Sequence, residues 1–171
     1  MLTLSLFRHA KSSWDNPDLQ DFDRPLNERG QEAAPRMGAF MAESKIVPDL
    51  ILCSPAVRAR ETLELALPYL PAKPTVNYED GLYLTASETL LKRIRKLEAN
   101  VHHAMIVGHD PGLHHLATEL CGSGEPELLQ TLARKLPTAG LVVILFDVTA
   151  WSKVKPGTGQ LDLFMTPKRL G

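Results

Sequence analysis

The 171-residue chain carries 19 basic and 20 acidic side chains, a formal charge of -1 at neutral pH, with 44% hydrophobic and 23% charged residues. That length buries most of its apolar surface in one core without disulfides or metals, so one domain spanning 1–171 is expected. The balanced charge excludes an overall pull toward nucleic acid or an anionic membrane, no apolar run approaches the roughly 20 residues that span a bilayer, and two cysteines, Cys53 and Cys121, give neither a disulfide framework nor zinc-finger spacing.

Two unpaired cysteines suit a reducing compartment, and the opening MLTLSLFRHAKSSW has neither a basic segment before an apolar stretch nor a small-residue cleavage site. A cytoplasmic protein is therefore expected. Leu2, Leu4, Leu6 and Phe7 form a short apolar run that reads as a buried strand ending just before Arg8. Lys11 to Arg24, rich in Asp, Asn and Pro and lacking an apolar period, reads as a long loop, a kind of segment that tends to be functional in compact domains. Asn27 is the predicted N-cap of a helix through NERGQEAAPRMGAFMAES, with Ala33, Met37, Phe40 and Met41 on one face and Pro35 in its early part.

Pro48 and the run Asp49 to Cys53 signal a second buried strand, after which Ser54-Pro55 opens a helix reaching about Tyr69. A short strand is predicted from Thr75 to Tyr78, then a helix starting at Ser87 and Glu88 and carrying Leu90, Leu91, Ile94 and Leu97. The next strand, Ala104 to Val107, ends at Gly108-His109-Asp110-Pro111-Gly112, and helices follow around Leu113 to Leu120 and Glu127 to Arg134. The β-branched run Leu141 to Phe146 is the plainest strand, and a last one spans Gln160 to Met165. This alternation predicts an α/β three-layer sandwich, with helices on both faces of a mostly parallel central sheet of about six strands. In such sheets ligands lie beyond the carboxyl ends of parallel strands, here the loops after Phe7, Cys53 and Val107.

Those three loops present Arg8-His9, then Ser54-Pro55-Ala56-Val57-Arg58, then Gly108-His109. Arginine offers a planar fork of charged donors that matches phosphate oxygens, so two in one pocket favour a dianionic phosphoryl group. A neutral imidazole can attack phosphorus and leave again, dividing one displacement into two easier ones, and His9 suits that role. His109, if protonated, would share the charge of the equatorial oxygens with both arginines. With these groups in place no metal or cofactor is called for.

The segments LFRHAKSS, SPAVRARET and IVGHDPG resemble the histidine phosphatase superfamily, which includes phosphoglycerate mutases, acid phosphatases and SixA-type phosphohistidine phosphatases. The resemblance spans nearly the whole chain. Small size, Ala10 where many relatives have glycine, and the segments DFDRPLNERG and SPAVRARET make the chain most similar to the SixA-like branch. The resemblance implies a phosphoglycerate mutase-like fold, His9 as the phosphorylated nucleophile, and Arg8, Arg58 and His109 holding the phosphoryl group. Ser12 stands where relatives often carry a small hydroxyl residue near the phosphate. Asp15 stands where mutases commonly carry asparagine, and as a carboxylate it is expected to point elsewhere. Arg24, before Pro25 in a motif shared by SixA-like proteins, is expected either at the pocket rim or locking the loop to the sheet. Arg60 should face a different side of its helix from Arg58.

Phosphate monoesters require a general acid, for which Glu79 and Asp80 in YEDGLYLTASET are the candidates, with two exposed turn carboxylates as the competing reading. A phosphohistidine substrate needs no strong acid, because its imidazole departs readily once protonated by solvent. The weak acid signal and the lack of sequence for a lid therefore favour a phosphohydrolase acting on phosphohistidine displayed by a protein, such as a phosphotransfer domain. A phosphatase of small phosphorylated metabolites and a mutase are rivals among enzymes. A weakly active phosphate- or phosphoprotein-binding module is the rival of another class, and the intact His9 argues against it. His102, His103, His114 and His115 match no zinc motif, and no basic stretch interleaved with aromatics supports nucleic-acid binding.

Overall fold

In the computed structural model, which describes residues 1–171, the opening apolar run forms β1 (Leu2–Arg8) at the centre of a seven-stranded sheet. In chain order follow α1 (Glu28–Glu43), β2 (Leu50–Cys53), α2 (Val57–Ala66), β3 (Thr75–Tyr78), α3 (Ser87–Ile94) and β4 (His103–Gly108). The second half comprises α4 (Gly112–Leu120), β5 (Cys121–Gly124), α5 (Pro126–Arg134), β6 (Leu141–Phe146), β7 (Gly159–Met165) and the short α6 (Pro167–Leu170). The strand order is β3-β2-β4-β1-β6-β7-β5, and only β6 runs antiparallel to its neighbours. This is the expected three-layer, mostly parallel arrangement of the phosphoglycerate mutase-like fold.

The sheet has seven strands where about six were expected. The addition is β5, which pairs with β7 at the sheet edge. Its sequence, CGSG, holds no apolar alternation and no β-branched residue, so it takes strand geometry from its partner and not from propensity.

Alternation along the central strands explains why their sequences are mostly apolar on both faces. Leu4, Leu6, Leu52, Ala104, Ile106, Val142 and Ile144 face a layer built from α3, α4 and α5. Phe7, Ile51, Cys53, Met105, Val107, Leu141 and Val143 face α1 and α2 on the other side. Both faces are buried, so a period of two leaves no solvent-facing polar row, and the one buried polar residue of β1, Ser5, is bonded to His103 at 2.7 Å.

Helix α1 starts where the sequence places it, with the Asn27 side chain accepting from the Gly30 backbone N–H at 2.9 Å. Pro35 lies inside this helix without ending it. Gly30 packs so closely on the loop after β1 that a Cβ there would run into the Lys11 carbonyl oxygen. Gly112 does the same for the start of α4, where a Cβ would meet the Thr85 carbonyl oxygen. These approaches hold the loops after β1 and β3 against the helices flanking the site. No helix is long and apolar enough to cross a membrane.

Candidate active site

Strand register sets the site. In the parallel β1–β4 pair Arg8 lies opposite Gly108, and the His9 backbone N–H donates to the Gly108 carbonyl at 3.0 Å. The next residues on the two strands, His9 and His109, therefore emerge side by side, with ring centroids 5.2 Å apart. On the other flank of β4, Cys53 lies opposite Val107, so the Ser54 turn leads α2 into the same region. Arg8, His9, Ser12, Arg24, Arg58 and His109 all line one cavity of about 230 Å³.

His9 is 7% exposed, and its Nδ1 lies 2.7 Å from the Ala10 carbonyl oxygen. A carbonyl only accepts, so Nδ1 carries the proton and Nε2 keeps its lone pair. Burial pushes the His9 pKa down to about 3; the Ala10 contact opposes this, and the charges of His109, Arg58 and Arg8 reinforce it. The ring is thus a neutral imidazole at neutral pH with one nitrogen available for attack.

His109 is 3% exposed and its Nε2 lies 2.7 Å from Ser54 Oγ. Ser54 Oγ also accepts from the Ala56 N–H at 3.3 Å, so its own hydrogen is best directed to Nε2, leaving the His109 proton on Nδ1. Burial, followed by the charge of Arg58, lowers the His109 pKa to about 4, with Asp21 opposing. Among protein groups alone the ring is therefore neutral, which departs from the protonated state considered from sequence; a dianion placed beside it would favour protonation.

Two buried side-chain nitrogens lack a partner, Arg8 Nε and His109 Nδ1, and both belong to residues lining the cavity. An unpaired buried donor is costly and uncommon, so two on residues that line one cavity make it a candidate anion site. Arg8 is fixed by a 2.9 Å bond from Nη1 to the Leu136 carbonyl and by Asp110 at 3.5 Å. Arg58 donates to the Asp21 carbonyl at 2.7 Å and to its carboxylate at 3.0 Å.

Of the two places considered for it, Arg24 takes the cavity lining, and its bonds tie the loop to itself and not to the sheet. It donates to the Ser13 carbonyl at 3.0 Å, to Asp21 at 2.9 Å and to Ser12 Oγ. Asp15 is exposed and lies outside the cavity lining, as expected, and Arg60 is exposed on α2 while Arg58 is buried.

Glu79 and Asp80 are not brought to the cavity. Glu79 is held by Arg93 through two 2.8 Å hydrogen bonds, and Asp80 is exposed at the start of a short 3-10 turn. The carboxyl that lines the cavity is Asp110, whose pKa is raised by burial against the opposing charge of Arg8. Its position directly after His109 was the available signal. Sequence reading also missed Asp21, which accepts from Arg24, Arg58 and the Tyr83 hydroxyl at 2.5 Å. Burial acts to raise the Asp21 pKa, but these hydrogen bonds outweigh it and hold the carboxyl well below the usual range. Thr62, four residues after Arg58, was missed as well: it accepts from the Ala10 N–H at 2.9 Å and donates to the Arg58 carbonyl at 2.7 Å.

No group of three or more His, Cys, Asp and Glu side chains is arranged to hold a metal ion. His114 instead donates from Nε2 to the Leu132 carbonyl at 2.6 Å. His103 opens β4 and bonds Ser5 Oγ at 2.7 Å.

The model of the histidine phosphatase superfamily (branch 1) matches residues 4–83. A candidate SixA phosphohistidine phosphatase from Agrobacterium tumefaciens is 32% identical, covers 97% of this chain and 98% of its own, and superimposes with a TM-score of 0.81. The chain belongs to the histidine phosphatase superfamily. Within that superfamily it falls in the SixA-like branch. An uncharacterized protein of Mycobacterium tuberculosis is 35% identical over 94% of this chain and 99% of that one. The protein histidine phosphatase SixA solved with tungstate, 21% identical and covering 99% of this chain and 100% of its own, shares the fold at a TM-score of 0.80.

Proposed function

We propose that this histidine phosphatase is a metal-independent phosphohydrolase that removes phosphate from phosphohistidine on a protein, through a phosphohistidine on His9. The pair of buried, unpartnered donors, Arg8 Nε and His109 Nδ1, carries this reading, because they flank a neutral His9 whose Nε2 is free. Arg8, Arg58 and His109 supply in fixed positions the charge stabilisation that phosphoryl transfer demands.

In the first step His9 Nε2 forms a bond to phosphorus and the substrate's P–N bond breaks. The electron pair goes to the substrate imidazole, which carries a solvent-derived proton on its other nitrogen and leaves neutral. In the second step water forms the new P–O bond, the pair of the His9–phosphorus bond returns to Nε2, and the proton of water passes to solvent. Neither step requires a strong acid, in keeping with the engagement of Glu79 by Arg93 and the exposure of Asp80. The two free cysteines suit a cytoplasmic setting.

A second reading, hydrolysis of small phosphate esters, is favoured by one observation. Asp110 lines the cavity with a pKa raised by burial, as a proton donor to an alkoxide would need. The deciding experiment compares turnover of a phosphohistidine-bearing phosphotransfer domain with a panel of phosphate monoesters, with and without chelator. Faster phosphohistidine turnover, insensitive to chelator, is expected; strong ester turnover with none on phosphohistidine overturns the reading.

A further inference from the structure

Trp14 is 75% exposed, the most exposed of the large hydrophobic side chains, while Trp151 is 1% exposed in the core. It is not a stray surface residue. Trp14 lines the phosphoryl cavity, and the Arg24 guanidinium lies over its ring, 3.3 Å from the centroid. Arg24 is itself buried and pinned by Ser12, Ser13 and Asp21, so one indole face rests on a rigid cation and the opposite face is open. The other apolar residue of the lining, Leu84, is also exposed and has a left-handed backbone, φ 47°, which a branched residue adopts at a cost. The floor of the cavity is cationic and polar, and its two apolar side chains stand exposed in the loops after β1 and β3.

The geometry points to Trp14 as the platform for the leaving group: once the phosphoryl group occupies the Arg8–Arg58–His109 floor, a planar ring attached to phosphorus stacks on the open indole face, and this selects planar leaving groups over flexible polar ones. The inference rests on the phosphoryl reading of the floor. It deepens that reading by naming the residue that recognises an imidazole, flat and partly apolar, as the departing part of the substrate. Stacking on an indole already backed by a cation gives a preference worth about tenfold, equivalent to about 1.4 kcal/mol.

The test uses phosphonates, which occupy the site without turnover. Calorimetric affinities for phenylphosphonate and methylphosphonate, each competed with inorganic phosphate, are compared in wild type, Trp14→Ala and Trp14→Phe. Wild type is expected to bind the phenyl compound about tenfold more tightly. The ratio should fall below about threefold in Trp14→Ala and be largely retained in Trp14→Phe, while methylphosphonate affinity stays within about twofold. A ratio that survives in Trp14→Ala overturns the platform. So does a matching loss of methylphosphonate affinity, because Trp14 would then act through Arg24. If neither phosphonate is displaced by phosphate, the phosphoryl reading of the floor fails and the platform with it. A Trp14-dependent ratio in a protein that hydrolyses only esters keeps the platform and removes the phosphohistidine assignment.

Discussion

Ser54 Oγ lies 2.7 Å from Nε2 of His109 and leaves Nδ1 as the ring's one nitrogen without a partner. The serine hydroxyl therefore decides which nitrogen of the imidazole carries its proton. Replacing Ser54 by Ala removes that choice and leaves a buried nitrogen unsatisfied, at about 1–3 kcal/mol of stability. The expected result is a lower denaturation midpoint together with about a tenfold fall in kcat and little change in KM, measured by urea titration and steady-state kinetics. An unchanged kcat would remove Ser54 from the catalytic arrangement.

By the proposed route, His9→Ala should lower turnover by at least about a thousandfold, since the phosphohistidine step then has no nucleophile. Rapid acid quench of the wild type with labelled substrate is not suited to keep a phosphoramidate, so the adduct is best trapped in alkali, where phosphohistidine persists. Label retained on His9→Ala to the wild-type extent would place the covalent step elsewhere.

Asp110→Asn separates the two substrate classes. If Asp110 protonates an alkoxide, ester turnover falls by about a hundredfold while phosphohistidine turnover stays within about threefold. Glu79→Gln and Asp80→Asn are expected to leave kcat on both classes within about twofold, because Glu79 is committed to Arg93 and Asp80 lies outside the cavity lining. A large kcat effect from either would restore them as acids.

Acid should weaken the fold before it protonates the site. Burial holds His9 at about 3 and His109 at about 4, and His103 at about 4 against the opposing Asp49 charge. Each folded value lies below the unfolded value near 6.5, so the unfolded chain takes up protons first as pH falls. The stability these groups contribute is complete above about pH 6.5 and is lost progressively down to about pH 3–4, on the order of 2 kcal/mol for His9 by pH 5. Asp110, raised by burial, works in the opposite sense over its own range. Urea midpoints should drop between pH 7 and pH 5, and His9→Asn should flatten that drop; equal slopes in the two proteins would contradict the linkage.

Thr62→Val keeps the shape of the side chain and removes the bridge between Ala10 N–H and the Arg58 carbonyl. A loss of about 1–3 kcal/mol in stability is expected, with a rise in KM as the nucleophile loop and the arginine helix lose their common tie. Denaturation and kinetics on the same preparation check both effects.

Much of this architecture is legible in the chain because it follows from burial. The apolar runs of β1, β2, β4 and β6 announce strands covered on both faces, and Asn27 caps α1 as its side chain dictates. Arg8 ends β1, His9 and His109 directly follow β1 and β4, and Arg58 lies on α2 just past β2, so they stand out by their place at strand ends, where register brings distant segments together. β5 is silent because CGSG has no pattern of its own. Asp21 is silent for another reason: a carboxylate in a turn looks the same whether it meets solvent or an arginine, and only the three-dimensional partner tells the two apart.

The β1–β4 pairing has a consequence for how the protein acquires its activity. Leu6 and Ile106 are neighbours in the sheet but 100 residues apart in sequence, so the two histidines meet only after a very long loop has closed. A nascent chain still lacking β4 holds His9 without its companion imidazole. Catalytic recovery during refolding is thus a reporter of central sheet closure, a clock set by topology and not by the local chemistry of either ring.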